Sequence, residues 1–218
     1  MTPATRAELK PNRIEALSDG IFAIAMTILV LSFETIFRQP MEMDEKYIIN
    51  TLVGLWPDFV HYVQSFVILG VFWYQHHRQF HYIRRVNAEL VFLNIIGLMF
   101  IALIPFSSVL VSDYGNTRPA ALLFELNLLI AGVVFFIHWI YASHKHRLLD
   151  PDLDVEIIRF YAKRNLVIPA VSLCAIALSL FSPRIGTLLY FSLPFILSLW
   201  RRKILPARSN QVKPTRLC

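Results

Sequence analysis

Long apolar stretches alternate with short polar ones along almost the whole chain. The apolar stretches cover residues 14–36, 52–80, 87–112, 118–142, 158–181 and 184–201. A helix needs about 20 mainly apolar residues to cross a hydrocarbon core of roughly 30 Å, so each stretch is predicted to be a transmembrane helix. The polar segments between them, among them RQPMEMDEK and SPR, are predicted to be short connections. The pattern predicts an all-α integral membrane protein with six transmembrane helices per chain.

Composition and charge agree with this architecture and orient it. Of the 218 residues, 56% are hydrophobic and 17% are charged, whereas about 25% of an average soluble domain is charged. With a cytoplasmic N-terminus, the basic residues outside would be Arg38, Lys46, Arg118 and Arg184. The rest of the 21 lysines and arginines would be cytoplasmic, as the positive-inside rule requires.

The predicted organisation is one transmembrane domain between two polar ends. Residues 1–12 are expected to be a cytoplasmic N-terminal segment, residues 13–203 the membrane domain, and residues 204–218 a basic cytoplasmic tail. We therefore expect a multi-pass protein of the cell membrane, embedded in the lipid bilayer, with both termini in the cytoplasm.

Several classes of function find no support in the sequence. The net charge of +6 could indicate nucleic acid, but the basic residues flank apolar stretches instead of forming a polar face. GxSxG, HExxH and phosphate-binding glycine patterns are missing from the sequence. His77 and His81 are four residues apart, yet no nearby carboxylate or cysteine completes a metal site. We predict no enzyme activity, no cofactor, no metal and no nucleic-acid partner.

The first apolar stretch begins with a polar segment, RIEALSDG, at residues 13–20. An ionisable group in a membrane is costly unless it faces protein or water, so Asp19 is expected to find donors on other helices. Each residue advances a helix by about 100°, which places Asp19 roughly 140° around the helix from Ile24. One face is therefore predicted to contact neighbouring helices. The other face carries a stripe of Ile24, Thr27, Ile28, Leu31 and Glu34.

Candidate partners for the polar start lie in the second and third stretches. One face of the second stretch carries Trp73, His76, His77 and Phe80. Trp73, His77 and Asn94 can donate hydrogen bonds, and Arg13 supplies a positive charge at the same level. The hypothesis is a polar network at the cytoplasmic side of the first three helices, made of Arg13, Ser18, Asp19, Trp73, His77 and Asn94.

The run RIEALSDGIFAIAMTILVL resembles the first-helix signature of the transmembrane protein 175 potassium channel family. The matching positions are Arg13, Ser18, Asp19, Ala23, Ile24 and Thr27. Leu17 departs from the signature, because the family usually has phenylalanine there. The stretches FWYQHHRQF and LNIIGLMFIALIPFSS also resemble the family's second and third helices. The similarity covers roughly residues 13–110, and beyond them it rests on the number of spans.

The resemblance implies a potassium-permeable cation channel, a homotetramer whose first helices line a central pore. It implies a hydrophobic constriction at Ile24, with a hydroxyl layer at Thr27 and with Ile28 and Leu31 further along the stripe. Four copies of Glu34 would concentrate cations at the outer mouth. None of the seven glycines lies in a Thr-Val-Gly-Tyr-Gly run, so a carbonyl-type selectivity filter is not expected. Selectivity for potassium over other monovalent cations is expected to be modest.

Other interpretations of the same residues are open. A membrane transporter could use Asp19, His77 and Glu125 as a proton or ion relay, although the sequence shows no inverted repeat. An apolar stripe at helical spacing is also typical of simple packing between helices. For Asp19, an anchor that holds the first helix is favoured over a role in conduction.

Overall fold

The computed structural model describes residues 11–31, 33, 45–114 and 117–201, and within them the chain forms ten α-helices and no strand. The helices are α1 (Pro11–Ile28), α2 (Glu45–Gly54), α3 (Trp56–Tyr82), α4 (Ala88–Ala102), α5 (Ile104–Tyr114), α6 (Arg118–Ser143), α7 (Val155–Asn165), α8 (Val167–Ser179), α9 (Pro183–Leu188) and α10 (Leu193–Arg201). Short 3₁₀ turns cover His144–His146 and Leu189–Ser192.

Four helical stretches of the described residues are long and apolar enough to cross a membrane. They are Pro11–Leu31, Ala88–Tyr114, Arg118–His146 and Val155–Ser179. The pair Ile48–Gly54 and Trp56–Tyr82 meets the same criteria when its two helices are taken together across a 45° bend, and Pro183–Leu199 is a shorter apolar helix. The expectation of an all-α, multi-pass membrane protein is confirmed. The number of six spans stays a prediction.

Three of the predicted spans are interrupted shortly before a proline. The interruptions at Leu55, Leu103 and Leu166 precede Pro57, Pro105 and Pro169 respectively. Proline lacks a backbone N–H and its ring crowds the carbonyl four residues earlier, so a helix kinks or breaks at that point. The prolines therefore explain why one predicted span becomes two shorter helices.

Helix α6 lies in the middle of the bundle and packs against α4, α5, α7 and α8. Its inward side chains include Phe124, Leu128 and Phe135, all buried. Close packing, rather than exclusion from water, holds helices together where their surroundings are already apolar. Gly97 on α4 permits such packing, because a Cβ there would lie 2.9 Å from the Phe135 ring.

The α3–α4 and α6–α7 connections meet at one end of the bundle. The backbone N–H groups of Arg84 and Arg85 donate to the Leu148 carbonyl at 2.9 and 3.2 Å, and Ile83 pairs with Leu149. The two basic connections therefore lie on the same side of the protein.

Candidate functional site

Helix α1 has one buried edge and one exposed edge. The buried edge consists of Ile14, Ser18, Phe22, Ala25 and Leu29, which pack among the other helices. The exposed edge includes Ile24 at 58%, Ile28 at 44% and Leu31 at 60% of their full accessible surface. Both edges follow from spacings of three and four residues on a helix. The stripe predicted from the sequence therefore lies on the part of α1 that the chain's own helices leave uncovered.

A wide apolar groove runs beside the exposed stripe, between α1 and α4. Its volume is about 460 Å³, and its walls include Ile24 and Ile28 of α1 and Ile95 and Met99 of α4. Thr27 is exposed on the same stripe and its hydroxyl donates to the Ile24 carbonyl at 2.8 Å. The groove is a surface to which another apolar helix could pack. Glu34, predicted at the mouth of the pathway, lies outside the described residues.

Ser18 connects the buried edge of α1 to α4. Its hydroxyl donates to the Ile14 carbonyl at 2.9 Å and accepts from the Asn94 side-chain amide at 3.1 Å. Asn94 Oδ1 lies 2.8 Å from His76 Nε2 on α3. Ser18 and Asn94 are fully buried and His76 nearly so. A chain of hydrogen bonds therefore ties α1, α4 and α3 together near one end of the bundle.

A second set of contacts lies nearer the surface of the same region. Trp73 Nε1 donates to Asp19 Oδ1 at 2.9 Å. The His77 ring stacks on Trp73, with ring centroids 5.7 Å apart and an angle of 20° between the planes. His77 Nδ1 lies 3.1 Å from Glu15 Oε1. Asp19 thus has a donor from another helix, as an ionisable group at a membrane edge requires.

The structure brings most of the residues of the hypothesised network together, but with a different histidine at its centre. His76, rather than His77, bonds Asn94, because neighbouring residues point about 100° apart on a helix and position 76 faces inward. His77 is half exposed and contacts Glu15 and Trp73. The Arg13 side chain is exposed and makes no hydrogen bond or ion pair with another described residue.

Sequence reasoning missed a further polar group deeper in the bundle. His138 Nδ1 of α6 lies 3.0 Å from Gln79 Oε1 of α3. Gln75 of α3 and Asn165 at the end of α7 are buried close by and line one small cavity with His76. The signal for this group is the run Gln75-His76-His77-Arg78-Gln79, since five successive polar residues are unusual inside an apolar span.

Glu125 is buried in a different part of the bundle. Its Oε1 accepts from the Ser179 hydroxyl of α8 at 2.5 Å. Asp19 and His77 both contact Trp73, whereas Glu125 bonds Ser179 on α8. The structure therefore does not bring Glu125 together with the other two residues of the transporter interpretation. Within the described residues, no group of three or more His, Cys, Asp or Glu side chains could hold a metal ion.

Comparison with known proteins gives the family. The sequence profile of a family described as endosomal/lysosomal potassium channel TMEM175 matches residues 13–105. A protein named as a potassium channel, from Streptomyces collinus, is 32% identical over 152 residues, which cover 68% of this chain and 72% of that protein. The chain belongs to the TMEM175 family. The resemblance noted in the sequence is thereby confirmed.

Two further relatives show how TMEM175 proteins compare with this chain in length and fold. The crystal structure of a lysosomal potassium-selective channel TMEM175 homolog from Chamaesiphon minutus superposes with a TM-score of 0.71 at 28% identity, covering 87% of this chain and 96% of that one. The mouse endosomal/lysosomal proton channel TMEM175 is 31% identical over 212 residues, which are 89% of this chain and 42% of the mouse protein. The family and these relatives are channels and not enzymes, as expected from the sequence.

Proposed function

We propose that this chain is a potassium-permeable cation channel of the cell membrane, formed by four copies whose first helices surround a central pore. The observation that carries the proposal is the exposed apolar stripe on α1, opposite an edge that hydrogen bonds hold to α3 and α4. Relatives named as potassium channels support the choice of ion. Six spans per chain and cytoplasmic termini belong to the same proposal.

In this proposal the Ile24 side chains form the narrowest ring of the pore. An apolar ring passes an ion only when the ion gives up part of its hydration shell, and it can close by narrowing or dewetting. Thr27 contributes hydroxyl groups next to the ring, and Ile28 and Leu31 continue the apolar lining. Glu34 concentrates cations at the outer mouth. Selectivity then arises from the cost of dehydration and not from a carbonyl filter.

The groove between α1 and α4 is the proposed contact between neighbouring copies. Its volume is about 460 Å³, and its apolar walls suit an apolar helix and offer no charged group to an ion. In the proposed tetramer the groove receives the edge of α1 from a neighbouring copy. Ile24 and Ile28 form part of the walls of this groove, so the same contact would set the distance between the four constriction residues.

The polar contacts around Ser18 and Asp19 act in this proposal as an anchor. They hold the cytoplasmic end of α1 at one rotation about its axis, through Asn94 and Trp73 on neighbouring helices. The stripe that begins at Ile24 then faces the pore in every copy. The two basic connections at one end of the bundle, joined at Leu148, support a single cytoplasmic side.

Ion flux through the purified protein in liposomes tests the proposal. Under an imposed potassium gradient we expect flux that follows the gradient, needs no second substrate, and is larger for potassium than for sodium. Proton flux measured in the same vesicles tests whether the activity named for the mouse relative extends to this chain. Saturable flux that depends on a second substrate, or no potassium flux at all, would contradict the channel.

A further inference from the structure

A small cavity lies next to the Ser18 anchor, between α3, α6 and the junction of α7 with α8. Its volume is about 10 Å³. Its polar lining consists of Gln75, His76, Gln79 and Asn165, each of them at least 95% buried. The remaining walls are apolar and include Phe135. Buried polar side chains from two separate helices therefore converge on one small cavity.

Each of these four side chains carries a buried nitrogen with no hydrogen-bond partner among the described residues. The atoms are Gln75 Nε2, His76 Nδ1, Gln79 Nε2 and Asn165 Nδ2. Buried polar groups in folded proteins are nearly always paired with protein or with an ordered water, because an unpaired one loses its hydration without compensation. Unpaired nitrogens on two helices around one cavity point to a partner that several of them share.

The hydrogen bonds around Asn94 determine what His76 offers to the cavity. The Ser18 hydroxyl donates to the Ile14 carbonyl, so its oxygen accepts from the Asn94 amide nitrogen. Asn94 Oδ1 then faces His76 and must accept from His76 Nε2. In a neutral imidazole the other nitrogen, Nδ1, is a lone-pair acceptor. The cavity is thus bordered by amide donors and one imidazole acceptor.

We propose that this cavity binds one ordered water molecule, which accepts hydrogen bonds from the Gln75 and Asn165 amides and donates one to His76 Nδ1. A water needs a cavity of at least roughly 10 to 15 Å³ and two to four polar partners, and the site supplies both. The lining has no charged side chain, so it suits a neutral ligand better than an ion. The water oxygen accepts from the two amides and one of its hydrogens donates to the imidazole nitrogen, which matches the mixed lining of donors and acceptor.

The water gives Gln75 and Asn165 a role as positioning residues for the first helix. Asn165 is the last residue of α7, where the span is interrupted before Pro169. Through the water it reaches His76, and through Asn94 it reaches Ser18 on α1. The interrupted fifth span is in this way linked to the anchor of α1, so a shift of α7 would change the hydrogen bonds of that anchor. This inference does not depend on the proposed channel activity.

Nitrogen-15 NMR of histidine-labelled protein in bilayers tests the proposal, because the shift of a lone-pair nitrogen reports whether it accepts a hydrogen bond. We expect the Nδ1 signal of His76, assigned through its contact to Asn94, to have the shift of an accepting nitrogen. In Gln75→Met, which keeps the side-chain length but removes the amide, the signal should move toward that of a free lone pair. A wild-type signal at the free value, or no change in the variant, overturns the proposal.

Gln64→Met is the matched control. Gln64 lies on the same helix, is equally buried, and its amide donates to the Thr187 carbonyl at 2.6 Å, away from the cavity. It should leave the His76 signal in place even if it destabilises the protein; an equal displacement in both variants would contradict the proposal. If Gln75→Met does not fold, an experimental density map of the wild-type protein tests whether the water is present. One peak within hydrogen-bond distance of Gln75, His76 and Asn165 supports the water, and a direct bond between these side chains overturns it.

Discussion

Ser18 uses both functions of its hydroxyl group, as donor and as acceptor, at a fully buried position. The hydrogen goes to the Ile14 carbonyl and the oxygen accepts from Asn94, which is itself held by His76. Truncating one partner of a buried hydrogen bond leaves the other unsatisfied, which costs about 1–3 kcal/mol. The residue is small, so its loss acts through this bond and hardly through packing.

Ser18→Ala is expected to lower the free energy of unfolding by about 1–3 kcal/mol, because Asn94 loses its acceptor. The measurement is thermal unfolding of the purified protein in detergent. Ser198→Ala is the matched control, since its hydroxyl also bonds a carbonyl on its own helix but is exposed. The control should stay within about 0.5 kcal/mol of the wild type. Equal losses in the two variants would show that Ser18 anchors nothing.

Ile24 is the residue on which the proposed constriction depends. Ile24→Asn replaces an apolar ring by amides that can partly substitute for hydration, so potassium flux should rise and the preference over sodium should fall. A barrier lower by about 1.4 kcal/mol corresponds to a roughly tenfold higher flux. Liposome flux with both ions measures this.

Leu173→Asn is the control for that substitution, because Leu173 lies on α8 and is exposed to the same 58% as Ile24. Its flux should match the wild type once the amount of folded protein is equal. Similar flux changes in both variants would remove the case for Ile24 as the constriction.

At the scale of elements, short helices and interruptions adapt the spans to their neighbours. Helix α9 approaches α8 and α6 closely at Gly186, where a Cβ would lie 2.7 Å from both the Ala175 carbonyl oxygen and Glu125 Oε1. Only glycine leaves room for the Ser179 hydroxyl to reach Glu125 at this point. The packing of α9 therefore depends on the absence of a side chain at Gly186.

Gly186→Ala is expected to destabilise the protein by about 1–3 kcal/mol, because α9 must move away from α6 and α8. Gly54→Ala is the control, since an added Cβ at Gly54 meets no atom within 4 Å. That variant should be neutral or slightly stabilising, by up to about 1 kcal/mol, as alanine favours helix over glycine. Thermal unfolding of the two proteins side by side distinguishes them, and an unchanged Gly186→Ala midpoint would contradict the close approach.

The whole molecule leaves uncovered the one helix edge that the proposed function needs. The stripe on α1 and the adjoining groove are apolar, while Ile14, Ser18, Phe22 and Ala25 on another edge of α1 are buried inside the chain. Apolar side chains on other spans are also exposed, as expected for surfaces that face lipid. On α1, the buried hydrogen-bonded anchor gives the exposed edge a defined direction.

The proposed assembly predicts a particle of four chains, each of 25.2 kDa, when mass is measured in mild detergent. With Cys174 and Cys218 replaced by serine, Ile28→Cys should give disulfide-linked dimers on oxidation, because copies of α1 meet near the axis. Leu123→Cys, at a site on α6 with the same 44% exposure, should not. A monomeric particle, or cross-links at both positions alike, would contradict the tetramer around α1.

Local patterns in the sequence were enough to locate the apolar helical stretches and the face of α1 that carries Ile24. The length of an apolar stretch and the 3.6-residue period depend on residues close together in the chain, and both are found in the structure. The predicted spans were continuous, although the prolines that interrupt three of them act locally. The RIEALSDG run likewise sufficed to suggest the family and to indicate that Asp19 needs a partner.

By itself, then, the sequence determined an all-helical membrane protein of the TMEM175 family whose first helix has a polar and an apolar face. Only the tertiary structure decided that His76 bonds Asn94 while His77 meets Glu15. The choice depends on how α3 is rotated about its own axis, which its packing against neighbouring helices sets. Asn165 and Gln75 meet at one cavity for the same reason, since residues far apart in sequence become neighbours only when whole helices pack.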